Sequence, residues 1–275
     1  MAARARPRTV TLTSDIGSAY AAQMKAVLAH RSPPGPVLDL AHDLRPHAVG
    51  EGAFLLRAMA VGFPAGTVHV AVIDPGVGGR RAPIAIECAD GSTLIGPDNG
   101  VLMPLADALG HPNAYRIDPS RLGGVRRVGR TFDGRDLFAP AAVRIANGAR
   151  ARNLGRAIRP VGYSIPEARR TPAGARGEVL HEDHFGNLIT NVPTEWVPRR
   201  VSIVRVRLGG RRALDLPLAE SYEALGRGRG GVLGSSFGLL EVAVSHGSAA
   251  RRWHVRVGTS VETRWRATAR TGDGK

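Results

Sequence analysis

The run Val72-Ile73-Asp74-Pro75-Gly76-Val77-Gly78-Gly79-Arg80-Arg81 brings a carboxylate and two guanidinium groups together across a turn of proline and glycine. An apolar strand that stops at Asp and breaks at Pro-Gly places the carboxylate at the carboxyl edge of a sheet, where open α/β sheets hold their ligands. The arginines can fold back over it. The pair then sets a proton acceptor beside a fixed positive charge, or it is a solvated ion pair closing a tight turn.

Four further segments place polar residues where an apolar run ends. They are Thr13-Ser14-Asp15-Ile16-Gly17, Gly96-Pro97-Asp98-Asn99-Gly100, Thr131-Phe132-Asp133-Gly134-Arg135-Asp136 and Asp183-His184-Phe185-Gly186-Asn187-Leu188-Ile189-Thr190-Asn191. Singly each also reads as turn chemistry, Asn99-Gly100 and Gly186-Asn187 above all.

The elements that must position these residues alternate in the first half of the chain, the signature of an α/β domain with a central, mostly parallel sheet over residues 8–160. Strands are expected at Val10 to Ser14, Val37 to Leu40, Thr67 to Ile73, Ile84 to Cys88 and Thr93 to Ile95. Helices are expected at Ala21 to Ala29, Val49 to Val61, Val101 to Leu109 and Leu137 to Asn147, with Asp136 placed to cap the last. Residues 161–176 are rich in Pro and Gly and read as a linker. Residues 177–266 read as a smaller, β-rich domain, with strands at Gly177 to His181, Leu188 to Val192, Val201 to Leu208, Leu239 to Val244 and Trp253 to Val257. Turns are expected at Gly209-Gly210 and Gly230-Gly231, and a disordered tail from Ala269 to Lys275.

The composition excludes several classes of function. No apolar run is long enough to span a bilayer, and the Arg-rich start leads into a strand instead of a signal-peptide core, so a soluble, cytoplasmic protein is expected. Cys88 is the only cysteine, which excludes an internal disulfide and a thiolate metal cluster, and its apolar neighbours Ile84 and Ile86 read as core. The net charge of +15 suits a nucleic-acid binder. Its distribution does not: arginines from Arg57 to Arg251 are scattered without interleaved aromatic rings, and the only lysines are Lys25 and Lys275.

Taken in order, the motifs resemble the S-adenosyl-L-methionine (SAM) hydroxide adenosyltransferase family, relatives of the fluorinase and chlorinase enzymes. The matching segments are Thr13 to Gly17, Tyr20 to Lys25, Asp74 to Arg81, Gly96 to Gly100, Phe132 to Pro140, Asp183 to Asn191 and Ser236 to Glu241. The resemblance implies a seven-stranded α/β domain, a β-barrel-like second domain, and a homotrimer whose sites lie between neighbouring subunits. It implies hydrolysis of SAM to adenosine and methionine with no metal or cofactor, water attacking the 5′ carbon beside Asp74, Arg81 and Asp133. Asp15 would hold the ribose hydroxyls, Asn187 the adenine edge, and Asp183 and Ser236 the methionine ammonium and carboxylate. His47 and Tyr222 would lie near the nucleoside, with packing or a surface ring the other reading for both, and Tyr20 would be a further substrate-binding residue.

Two departures from the family pattern stand out. Asp133 occupies the place of a family His, and a carboxylate is the weaker base. Two carboxylates beside one arginine can share a proton, so Asp133 is expected to serve as a substitute base at reduced rate. The loop between Asp15 and Tyr20 is also about two residues short, so the family's second Asp, for the methionine amine, has no counterpart and Ser18 is the only polar residue nearby. Both departures leave open a second class of function, a SAM- or nucleoside-binding protein with weak or lost catalysis.

Overall fold

The structure, a computed structural model, describes residues 8–30, 35–110, 112–123 and 128–267. The chain divides into two compact units, Met1–Ile165 and Pro166–Lys275.

The first unit runs β1 (Val10–Ser14), α1 (Gly17–His30), β2 (Val37–Ala41), α2 (Val49–Ala60), β3 (Val68–Val72), β4 (Pro83–Glu87), β5 (Thr93–Pro97), α3 (Met103–Ala108), β6 (Asn113–Ile117), α4 (Ala139–Ala146) and β7 (Gly155–Ala157). Its strands form one seven-stranded sheet in the order β2-β1-β3-β5-β4-β6-β7. β1 and β3 are buried along their whole length although polar residues interrupt their apolar ones, as Val-Thr-Leu-Thr-Ser and Val-His-Val-Ala-Val, because the buried polar side chains Thr11 and His69 bond to each other. α1 and α4 pack together over these strands, burying Met24, Leu28, Phe138 and Ile145 with Leu12 and Val70 in one core.

The sheet is mixed, not mostly parallel. β2, β1, β3 and β5 are parallel neighbours, but β4 runs antiparallel to both β5 and β6, and β7 antiparallel to β6. The cause is local: β4 and β5 are joined by a tight turn in which the Asp90 side chain accepts hydrogen bonds from Ser92 N and Oγ. A connection that short cannot make the crossover that parallel strands require. β6 and β7, short and partly polar, are strands that periodicity does not reveal.

Because β1 lies between β2 and β3, the chain leaves β1 towards one side of the sheet and returns on the other. The carboxyl ends of β1 and β3 therefore flank a topological switch point, the place where open α/β sheets bind ligands. Asp15 follows β1 and Asp74 follows β3.

The second unit runs β8 (Arg169–Thr171), β9 (Gly174–Glu182), β10 (Leu188–Pro193), β11 (Val201–Leu208), β12 (Leu214–Pro217), α5 (Tyr222–Leu225), β13 (Gly230–Gly234), β14 (Leu239–Val244), α6 (Ala249–Trp253) and β15 (Ser260–Ala267). The antiparallel order is β12-β11-β15-β9-β10-β14-β13, with β8 added to β9. The two edges meet where Leu218 bridges Val232 and Ala219 N donates to Val232 O at 2.9 Å, which nearly closes the sheet into a barrel. Its interior holds Val179, Leu188, Val204, Val206, Leu240 and Val242.

Several local expectations are corrected. Asp136 does not cap α4: it sits inside a π-helical turn, Gly134–Phe138, where its carboxylate takes hydrogen bonds from Arg135 and from Val128 N. Trp253 to Val257 is not a strand. α6 ends there, closed by His254 in the left-handed conformation, and the strand that follows is β15. Gly230 and Gly231 lie inside β13, not in a turn. Within the expected linker, Arg169–Thr171 and the first residues of β9 pair as strands. The tail from Ala269 lies outside the described residues. Among the described residues, no helix is long and apolar enough to cross a membrane.

Candidate active site

The turn after β3 does fold back on itself. Arg81 Nε donates to both carboxylate oxygens of Asp74 at 3.0 Å, and Arg81 Nη2 donates to Asp74 Oδ2 as well. The same Nη2 reaches Asp133 Oδ2 at 2.5 Å, so one guanidinium joins two carboxylates that lie far apart in sequence. The Arg81 side chain is 11% exposed, Asp74 5% and Asp133 2%, so the solvated ion pair that the turn also allowed is excluded. The Arg81 plane lies 5.5 Å from the Phe138 ring centre, a cation–π contact that walls the group from one side. Burial works against the Arg81 charge, but the hydrogen bonds and charges of Asp74 and Asp133 outweigh it and raise its pKa. Arg80 does not join this cluster; it is exposed.

The local sequence fixes this arrangement. Gly78 has φ +72°, and a side chain there would collide with the Arg130 carbonyl, whose residue in turn donates from Nη2 to Gly78 O at 2.9 Å. Asn99 binds the strand that carries Asp74: its Nδ2 donates to Ile73 O at 2.8 Å, while its Oδ1 accepts from Val101 N. Asp133 stands at the start of the π-helical turn, a distortion often found at functional sites.

At the neighbouring strand end, Asp15 Oδ2 accepts from the backbone N–H of His47 at 2.8 Å. His47 is exposed and has φ +67°, a conformation that this hydrogen bond helps to hold. Tyr20 is exposed on α1, with its ring edge-on to Phe132 at 5.4 Å, beside Asp133 in sequence. Behind Asp15, a chain of contacts runs from Ser14 Oγ to His42 Nδ1 at 2.7 Å, from His42 Nε2 to Asp39 at 3.0 Å, and on to Lys25 at 2.8 Å.

In the second unit, Asp183 and Asn187 form one turn between β9 and β10. Asp183 Oδ1 accepts from Phe185 N and Asn187 N, and Asp183 Oδ2 accepts from Asn187 Nδ2 at 2.9 Å. Gly186 has φ +85° and packs against Ser248, leaving no room for a side chain. Tyr222, at the start of α5, donates its hydroxyl to Glu241 Oε1 at 2.5 Å. Burial, then the bond and charge of Glu241, raise the Tyr222 pKa; burial likewise raises that of Glu241, with the Asp183 charge adding and the Tyr222 bond opposing. Ser236 is exposed in the turn from β13 to β14.

The sequence profile described as the SAM hydroxide adenosyltransferase N-terminal domain matches residues 10–155, and that of the C-terminal domain matches residues 177–262. The chain belongs to the SAM hydroxide adenosyltransferase family. Among its relatives, the (R)-S-adenosyl-L-methionine hydrolase of Salinispora arenicola is 38% identical over 254 residues, 88% of this chain and 92% of that protein. The protein of the same name from Thermus thermophilus is 38% identical over 263 residues, 92% and 98% of the two chains. The crystal structure of an uncharacterized conserved protein from Thermotoga maritima superposes with a TM-score of 0.84 at 29% identity, covering 93% of this chain and 99% of that one.

Within the first unit, the expected residues Asp74, Arg81 and Asp133 come together, and Asp15 and His47 form a second pair. Within the second unit, Asp183 joins Asn187, while Tyr222 finds Glu241 instead of another expected residue. Sequence reasoning gave Glu241 no role of its own. The signal was present, since Glu241 is the one charged residue in the apolar strand Leu239–Val244. Asn99 was legible as a turn residue but not as the brace of β3, because its partner Ile73 is remote in sequence.

Proposed function

We propose that this chain hydrolyses SAM to adenosine and L-methionine. The observation that carries the reading is the buried Asp74–Arg81–Asp133 cluster at a strand end of the switch point, in a chain whose relatives bear the name (R)-SAM hydrolase. Water attacks the 5′ carbon in line with the carbon–sulfur bond. The sulfonium takes the bonding electrons and leaves as the neutral thioether of methionine, so no general acid is needed. The reaction releases one proton, which passes to a carboxylate of the cluster. Arg81 stays charged throughout, orients the carboxylates and stabilises the developing hydroxide.

In this reading the ribose diol is held by Asp15, whose two acceptor oxygens suit vicinal hydroxyls. Tyr20, His47 and Tyr222 flank the nucleoside, Asn187 takes the adenine edge, and Asp183 and Ser236 take the amino-acid end. No metal or other cofactor takes part, and the setting is the cytoplasm. The active form is a homotrimer that completes each site between the N-terminal domain of one subunit and the C-terminal domain of a neighbour. The exposed rings of Phe185, Tyr222 and Phe237 on the second unit support this part of the proposal.

Calorimetric titration with SAM beside chromatography of the products tests the reading. Adenosine and methionine should accumulate in equal amounts from the R-configured sulfonium, with the S epimer left behind. Binding heat without adenosine would assign the chain to the alternative, a SAM-binding protein without turnover.

A further inference from the structure

Arg81 and Asp133 also border a cavity of about 740 Å³ in the first unit that none of the roles above uses. Its walls carry five more arginines from separate segments: Arg80 before β4, Arg116 on β6, Arg121 after it, Arg130 in the loop before the π-helical turn, and Arg156 on β7. The carboxylates facing them are few. Asp133 is already bound to Arg81, and Asp118 accepts from Ser120 N and Oγ and lies 3.8 Å from Arg121. Arg130 donates to the neutral carbonyl of Gly78. The side chains of Arg80, Arg116 and Arg156 make no hydrogen bond or ion pair among the described residues.

These five arginines are exposed, and so many like charges lining one hollow favour an anion among them. SAM does not answer this need, because its sulfonium and ammonium outweigh its single carboxylate. We propose that the cavity is a binding site for an oligophosphate, the phosphoanhydride chain of an inorganic or nucleotide di- or triphosphate. The guanidinium fork matches phosphate oxygens two at a time. A lone phosphate or carboxylate offers one centre of charge, whereas forks on several walls suit charges spaced along a chain. The volume lies in the ordinary range for a small-molecule site and admits a nucleotide. The inference rests on the five further arginines, and the cavity shares only its Arg81–Asp133 border with the reaction proposed above.

Equilibrium binding of inorganic triphosphate and of ATP to the full-length protein at low salt tests it. Saturable binding is expected for both. Arg116→Gln with Arg156→Gln should weaken it at least about tenfold, through two lost charge-assisted contacts. Arg227→Gln with Arg251→Gln, exposed arginines of the second unit, should change it less than about twofold. ATP binding more tightly than triphosphate would place the base in the cavity, and equal affinities would place the phosphate chain alone; either supports the site. Should the first pair fail to fold, Arg80→Gln with Arg121→Gln makes the same test. Absence of saturable binding, equal weakening in both pairs, or an RNA oligomer that binds without being displaced by triphosphate would overturn the proposal.

Discussion

One buried guanidinium serving two carboxylates is the centre of the proposed catalytic site. Asp74 and Arg81 were legible as a pair, because a strand end, a proline–glycine break and an arginine at the far side of the turn leave little other geometry. That Asp133 completes the group was not legible from the residues themselves. Its contact spans 52 positions in sequence, and only the family resemblance brought it into the site. In the proposed mechanism the same bond limits Asp133 as a substitute for the family His, because the carboxylate that would accept a proton is anchored by Arg81. A His at this position would leave Arg81 to Asp74 and restore a stronger base. Asp133→His is therefore expected to raise the rate of adenosine formation about tenfold or more, part of the roughly hundredfold or greater gain that a positioned base contributes. An unchanged or lower rate under saturating SAM would remove Asp133 from the role of substitute base.

At the scale of elements, β3 matters most, because it delivers Asp74 to the switch point. It carries an internal titratable group, His69, buried and bonded through Nδ1 to Thr11 Oγ1 of β1 at 2.8 Å. Burial, opposed by the charge of Asp90, lowers the His69 pKa to about 4. The folded state thus binds fewer protons than the unfolded chain, in which His titrates near 6.5. Stability from this group is fully present above about pH 6.5 and is lost as pH falls towards 4, in all about 3 kcal/mol. Denaturant titrations across this range should show the loss, and His69→Asn should flatten it; an equal slope in the variant would place the acid sensitivity elsewhere. His69 hid within the apolar alternation of Thr67 to Ile73, where burial on both faces is invisible to periodicity. Cys88 followed its expectation: it is buried, and its surroundings push the thiol up to about 12, burial first and then the charges of Asp90, Asp107 and Glu87. The strand directions around β4 were legible in principle from the short turn to β5. β12, β13 and β15 were not, since turn residues and arginines interrupt their apolar pattern.

For the whole molecule, the two-part architecture was visible from the change in pattern after residue 160, and the chain divides between Ile165 and Pro166. The large positive charge proved uninformative in total and informative in place, since six of its arginines gather around one cavity. Phe185, at the tip of the Asp183–Asn187 turn, is 73% exposed, a ring that a neighbouring subunit would cover in the proposed trimer. Light scattering should give about 87 kDa, three times the 29.1 kDa of the chain. Phe185→Asp should shift the mass towards the monomer, by placing an unpaired charge in an apolar contact. A monomer for the unaltered protein at micromolar concentration would contradict that assembly.

The proposed reaction has one atom that marks it, the oxygen on the 5′ carbon. Incubation with SAM in oxygen-18 water, followed by mass spectrometry of the nucleoside, reports its origin. Water activated at Asp74, Arg81 and Asp133 gives adenosine carrying one oxygen-18 at the 5′ position, with unlabelled methionine, and Arg81→Gln abolishes both products. Adenosine without label, or label unaffected by Arg81→Gln, would contradict attack by a water held at this cluster.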